Sequence, residues 1–402
     1  MYNEQRGSTC MKRRISTIDG LRGFSLLGIL IANMLIFQYG IFGKDSPEHF
    51  QLSSPDTVAY VWTKIFVEGS FLPIFMFLFG YSLIKLKEKL ERNQLKVKRH
   101  LVRRFLLFFA FGLFHSIFIW EGDILGAYSL IGFLMLLFIN RKKKTLLVWA
   151  IVLFVLTSLM GFGEIEQTEK DIQLMESYIL EETEAYSSDR YADAFAFRQS
   201  GELPFDLPEF FYVLMLVLTP LLIAPLTLLG MYAAKRNWFT NPKQERKWYI
   251  RGAMGFGITG LLLKSSHYII HDPSWTEGAY SIGAIFLALG YIFGFAILYT
   301  KEAGKFLSSF EKVGQLSLTN YLTQSIICTV IFYGYGLGRI AKMGVFLGIL
   351  LAFVIFVLQI VFSQLYLKCF RTGPFEKIMR IGSYFSLKGQ VKQKRRKKES
   401  AA

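Results

Sequence analysis

The run GLRGFSLLGILIANMLIFQYGIF at residues 20–42 decides the fold class. Past Arg22 it carries no charge, and it is long enough for a helix to cross a hydrocarbon layer of about 30 Å. The polar and basic stretch Met11-Lys12-Arg13-Arg14 precedes it, and no small-residue cleavage site interrupts it. It therefore reads as an uncleaved first membrane helix rather than a removable leader.

Working outward, nine more segments approach the same length, at about 58–84, 105–121, 124–140, 145–163, 210–234, 250–271, 279–300, 316–335 and 344–367. Only Glu121-Gly122-Asp123 separates the third span from the fourth, which predicts a tight hairpin. Composition points the same way: of 402 residues 52% are hydrophobic, 39 are Phe and 20 are Tyr, while only 19% are charged. Soluble cores of this length do not hide so much apolar surface. The expectation is an all-α polytopic transmembrane helix bundle of about ten spans.

The formal charge of +16 would suit a nucleic-acid binder, but the basic residues sit in short blocks between the apolar runs. If both termini are cytoplasmic, 37 of the 46 Lys and Arg fall on one side, as the positive-inside rule requires. The charge thus reports orientation and contact with anionic inner-leaflet lipids, most densely at Lys392-Gln393-Lys394-Arg395-Arg396-Lys397-Lys398. Nucleic acid is not the expected partner, and the oligomeric state is left open.

The chain divides into a cytoplasmic segment 1–20, a five-helix region 21–163, an acidic external segment 164–209, a second five-helix region 210–367 and a basic tail 368–402. The external segment holds thirteen acidic residues, among them Glu164, Glu166, Glu182, Glu202 and Asp206, against Lys170, Arg190 and Arg198. Ile165, Ile172, Met175 and Ile179 recur there at near-helical spacing, which suggests surface helices, either a cap over a site or a solvated linker. No internal repeat is visible, so an inverted-repeat transporter gains no support. Cys10, Cys328 and Cys369 fall outside the external loops, which argues against a disulfide framework.

Ionisable groups in hydrocarbon are costly and mark candidate chemistry. His115 lies eleven residues beyond Arg104, about 16 Å deeper along a helix, near mid-membrane. Desolvation favours its neutral form, a proton acceptor; the bland alternative is an interhelical hydrogen bond. Asn33 follows Arg22 by the same interval and is expected at similar depth. Trp120 and Asp123 frame the hairpin, with Asp123 at the rim as a partner for the histidine. Lys64 and Glu68, four apart, can neutralise each other, or Glu68 can accept protons. Asn320 and Gln324 share a face in a polar opening that also contains Thr319, Tyr321 and Thr323, as helix glue or as a vestibule. His267, His271 and Asp272 have metal-compatible spacing but lack a clear further ligand. No metal site is assigned.

RISTIDGLRG at 14–23, EGSF at 68–71, FLFG at 77–80, the run from His115 to Leu125, LTNYLTQS with FYGYGLG, and GPFE at 373–376 with Arg380 occur in order along the chain. Together they resemble the YeiB-like bacterial membrane proteins, the domain of unknown function 418. That family is similar in its amino-terminal half to multi-pass acyltransferases, which carry acyl groups from an inner donor such as acyl-CoA to envelope sugars. Those enzymes show an Arg followed eleven positions later by a catalytic His. Here the first helix has Asn33 at that place, and Arg104 to His115 reproduces the spacing elsewhere.

The resemblance implies a bacterial plasma-membrane acyltransferase without a permanently held cofactor. Acyl-CoA would be the donor and an envelope glycan, lipid or small molecule the acceptor. On the residues themselves, His115 would be the general base, Asn33 and Asp123 would orient or bind, and Arg22 and Arg104 would attract an anionic donor at the inner face. A transporter or permease and a non-catalytic membrane component are the rival readings.

Overall fold

The computed structural model describes residues 15–163, 168–201, 203–205, 208–270, 273–301 and 304–387. Arg6, Cys10, Lys12, Arg13, Arg14, Glu164, Ile165, Glu166, Glu202, Asp206, His271, Asp272 and the run Lys392 to Lys398 lie outside the described residues. The described chain is helical without strands. In order come α1 (Ser16–Tyr39), α2 (Ser54–Phe66), α3 (Phe71–Arg92), α4 (Val97–Phe118), α5 (Leu125–Met135), α6 (Lys143–Leu159), α7 (Glu169–Ser187), α8 (Tyr191–Ser200) and α9 (Glu209–Lys235). They continue as α10 (Pro242–Ile269), α11 (Pro273–Leu298), α12 (Lys305–Gln315), α13 (Ser317–Phe332), α14 (Val345–Cys369) and α15 (Pro374–Tyr384).

The chain is an all-α polytopic membrane protein. Among the described residues, six helical stretches are long and apolar enough to cross a membrane: Ser16–Tyr39, Ser54–Arg92, Val97–Phe118, Val213–Lys235, Trp275–Leu298 and Val345–Cys369. α14 shows why water does not suit these helices. It buries Gly348, Ala352, Ile355 and Phe356, yet its other face leaves Leu347, Leu350, Val354 and Leu358 exposed. A helix apolar all round belongs in a core or in lipid.

The expected second span is not one helix. α2 ends at Phe66, and the chain turns through Val67–Ser70 with Gly69 at φ +70° before α3 begins. A broken helix leaves carbonyls that hydrocarbon cannot satisfy. Neighbouring helices supply the donors: Tyr280 Oη donates to Lys64 O at 2.7 Å, Tyr291 Oη to Phe66 O at 2.7 Å and Lys264 Nζ to Glu68 O at 2.5 Å.

Close helix approaches use glycine. α3 lies on α9 so tightly that a Cβ added at Gly80 would overlap Thr227 O, and one at Gly230 would overlap Phe77 O. α1 and α12 meet in the same reciprocal way, Gly23 against Phe310 O and Gly314 against Asp19 O. Small residues therefore set these distances. The basic segments collect at one end: residues from 85–104, from 240–242 and from 376–384 line one cavity there, and Lys235 Nζ bonds to Arg141 O.

Over the opposite end lie α7 and α8, the helices expected in the acidic segment. Thr168 and Asp171 form a reciprocal capping box at the start of α7, which fixes where the helix begins.

Gly80→Ala should lower stability by about 1–3 kcal/mol through overpacking, read as a fall in the thermal unfolding midpoint of the detergent-solubilised protein. Gly255→Ala, where a Cβ meets nothing within 4 Å, should leave the midpoint unchanged or raise it. Equal effects of the two changes would contradict this packing.

Candidate functional site

The site begins where α4 stops. The His115 carbonyl accepts from Ile119 N at 2.9 Å and from Trp120 N at 2.8 Å, which ends the helix and turns the chain back. Asp123 then closes the first turn of α5, its Oδ2 accepting from Gly126 N at 2.8 Å. Its other oxygen, Oδ1, lies 3.1 Å from His115 Nδ1, with both side chains buried. The two atoms are close enough to pair, although the ring is not aligned for a hydrogen bond; a small ring rotation would make one. His115 Nε2 is buried with no partner among the described residues. Trp120 packs edge-on to the imidazole at 6.3 Å between centroids and stacks on Phe37 at 4.2 Å.

Tyr321 of α13 forms the next layer. Its ring lies 5.6 Å from the imidazole, its hydroxyl accepts from Ile124 N at 3.1 Å, and it interacts with Asp123. Tyr321 also lines a cavity of about 1450 Å³ at the basic end of the bundle. Arg22, Arg104, Arg380, His100 and Tyr128 share that wall.

Arg22 donates to Asp19 Oδ1 at 2.7 Å and to Ser82 Oγ, so its guanidinium is held in place. Arg104 lies over the Phe108 ring at 5.0 Å, within electrostatic range of Arg22, Arg380 and Glu376. Such a wall suits an anionic group presented beside an apolar one.

α15 closes the cavity from the side. Glu376 Oε1 accepts from Leu318 N at 2.9 Å and from Thr319 N at 3.1 Å, and its Oε2 from Thr319 Oγ1 at 2.5 Å. A carboxylate there satisfies the orphan donors that begin α13 and complements its dipole.

The structure thus gathers Arg22 and Arg104 on the cavity wall, with His115, Asp123 and Trp120 behind Tyr321. The other candidates stand apart. Asn33 is half-buried on α1 and does not line the cavity. Glu68 binds Lys44 at 2.7 Å and Lys64 at 2.6 Å, the internal neutralisation that its spacing suggests. Asn320 and Gln324 form interhelical links. Asn320 Nδ2 donates to Val313 O and Ser363 Oγ, both at 3.1 Å, Gln324 Nε2 to Gln359 Oε1 at 2.8 Å, and Gln359 Nε2 to Asn320 O at 2.9 Å. Sequence reasoning passed over Tyr128, His100 and Glu376 as site residues. Glu376 and Arg380 stood in the GPFE motif, whose proximity to α13 and α4 no spacing rule reveals.

Residues 233–386 match the family model described as "Protein of unknown function (DUF418)". The chain is 32% identical over 397 residues to the uncharacterized protein YxaH of Bacillus subtilis strain 168, covering 94% of this chain and 96% of that one. The chain belongs to the DUF418 family. The uncharacterized protein YeiB of Escherichia coli K12 is 26% identical over 403 residues, with 92% of this chain and 96% of YeiB covered. An uncharacterized 39.9 kDa protein from the amylase 3′ region of Bacillus acidopullulyticus is 25% identical over 380 residues, covering 93% and 95%. No solved structure matches the chain. The family expected from the motifs is therefore the right one.

Glu376→Ala removes three hydrogen bonds to a charged group, worth about 1.5 kcal/mol or more. Amide hydrogen exchange across 374–384 should speed up about tenfold or more. Unchanged exchange would show that α15 is held by packing alone.

Proposed function

We propose that this protein transfers an acyl group from an anionic cytoplasmic donor, acyl-CoA, to a hydroxyl or amine on an envelope glycan, lipid or small molecule. The observation that carries the reading is the arginine-lined cavity ending at Tyr321, with the buried His115–Asp123 pair directly behind it. The basic end is cytoplasmic, both termini lie on that side, and the membrane is the bacterial plasma membrane crossed about ten times. Residues 164–209 then face outward.

In this reading Arg22 and Arg104 bind the donor's anionic part. The acceptor oxygen or nitrogen attacks the thioester carbon, a C–O or C–N bond forms, and the C–S bond breaks with departure of the thiolate. The acceptor proton passes through the Tyr321 hydroxyl to the Asp123–His115 pair, which later returns it to the thiolate. His115 is a positioned base rather than a surface group, because it does not itself line the cavity.

A specific observation favours a second reading. The α2–α3 break, with Lys64, Glu68 and Lys264 around it, is the kind of interrupted span that holds solutes in permeases. Uptake into vesicles without any donor separates the two readings.

Two results are expected. Radiolabelled acetyl-CoA should bind the purified protein in nanodiscs, and Arg104→Ala should weaken that binding about tenfold or more. His115→Gln should retain binding yet lose transfer of label to membrane acceptors, since an amide keeps a hydrogen bond but is a very poor base. Full transfer by the Gln variant would make the histidine an interhelical bridge. For orientation, a cysteine at Glu181 should react with an impermeant reagent in intact cells and one at Lys394 should not; the reverse pattern overturns the topology.

A further inference from the structure

At the end of the bundle opposite the cavity, α7 and α8 cover the hairpin that carries His115. Tyr191 Oη donates to Phe118 O at 2.6 Å and Arg198 Nε to Ile117 O at 3.3 Å. These bonds satisfy carbonyls that the end of α4 leaves free. Tyr186 stacks on Tyr333 at 4.3 Å, and its carbonyl accepts from Gly334 N at 2.8 Å. The dock is well packed, but one of its contacts is an anomaly.

Glu182 is only 2% exposed. Its carboxylate presses on Gly40, where an added Cβ would overlap it. One oxygen accepts a long bond from Ile41 N at 3.4 Å, and the other is buried with no partner among the described residues. Burying an unpaired carboxylate costs several kcal/mol or shifts its protonation. The Glu121 carboxylate interacts with Glu182 and is already engaged by Tyr186 Oη at 2.7 Å.

Among the described residues, no cation forms an ion pair with Glu182. Arg198 of α8 faces Glu121 and Tyr186. Lys44 and Asp45, in the turn after α1, are committed to Glu68 and Lys64. The other titratable neighbours are Tyr178 and Tyr186 on α7 and Tyr333 after α13, while His115 of α4 faces Glu121.

We propose that Glu182 is a proton-operated latch: protonated, it holds α7 on the end of α1, and ionised, it releases the cap from above the His115 hairpin. In the docked state burial, then the Glu121 charge, pushes the Glu182 carboxyl up to about 8 from an ordinary 4.5. The docked state therefore binds the proton more tightly than the undocked one. Docking is fully supported below the undocked value and is lost as pH rises through the docked one. This device stands independently of acyl transfer, since it needs only the cap and the end of α1.

Ile179, one turn before Glu182 and 2% exposed, sits against Gly43 after α1. In a full-length chain whose native cysteines are replaced by alanine, a cysteine at 179 reports undocking. A cysteine at the exposed position 181 reports the reagent's intrinsic rate. The 179-to-181 ratio of labelling by a charged methanethiosulfonate should rise at least about tenfold from pH 6 to pH 9. In Glu182→Gln the ratio should stay low at both pH values. In Glu121→Gln the rise should move to lower pH, because a neighbouring negative charge is gone. A parent ratio independent of pH overturns the latch, as does a rise that survives in Glu182→Gln or keeps its midpoint in Glu121→Gln.

Discussion

A helix that ends inside a bundle must hand its unpaired backbone groups to some other part of the chain, because hydrocarbon offers no water to take them. Much of this structure follows from how that is done. Where α2 breaks, Tyr280, Tyr291 and Lys264 bond to the freed carbonyls. Where α13 begins, Glu376 of α15 takes the free N–H groups. Where α5 begins, Asp123 does so, and the same carboxylate is thereby brought to His115. Two residues of the candidate site, Asp123 and Tyr321, thus also serve the start of a helix.

This double duty explains the site's depth. The His115–Asp123 pair does not hang into open space; it sits behind Tyr321, which is held by the backbone of the α4–α5 hairpin. On one side the tyrosine meets the arginine-lined cavity, and on the other Trp120 and the α7–α8 cap seal the pair from the opposite end. A buried imidazole between two closures is an environment in which proton transfer is controlled by few groups. It is also one in which each of those groups can be tested singly.

Much of the fold was legible because hydrophobic length and basic loops are properties of local sequence. The run at 20–42 becomes α1, and the spacing of Ile172, Met175 and Ile179 becomes α7. The break at Val67–Ser70 was hidden inside an apolar stretch, since Gly69 is the one residue there whose conformation marks a turn and glycine is common in membrane helices. At the site, Arg104, His115 and Asp123 stood out as rare ionisable groups in or beside apolar runs. Asn33 shared His115's spacing from an arginine, but it does not line the cavity. Glu376 and Arg380 reach the cavity only through the tertiary packing of α15, as does Tyr321, which sequence placed merely in a polar opening. Asn320 and Gln324 were open to two readings, glue or vestibule, because both uses require polar groups facing the interior; the bonds to Ser363 and Gln359 show the first use.

In the proposed function, the cavity at the basic end receives the anionic donor and delivers its reactive carbon to Tyr321. An electron cryomicroscopy structure of the full-length protein in nanodiscs with a non-hydrolysable acetyl-CoA analogue tests it most directly. The account predicts ligand density with phosphates against Arg22 and Arg104 and the thioester-equivalent carbon within reach of the Tyr321 hydroxyl. Density bound elsewhere, or an unchanged cavity at saturating analogue, would contradict it.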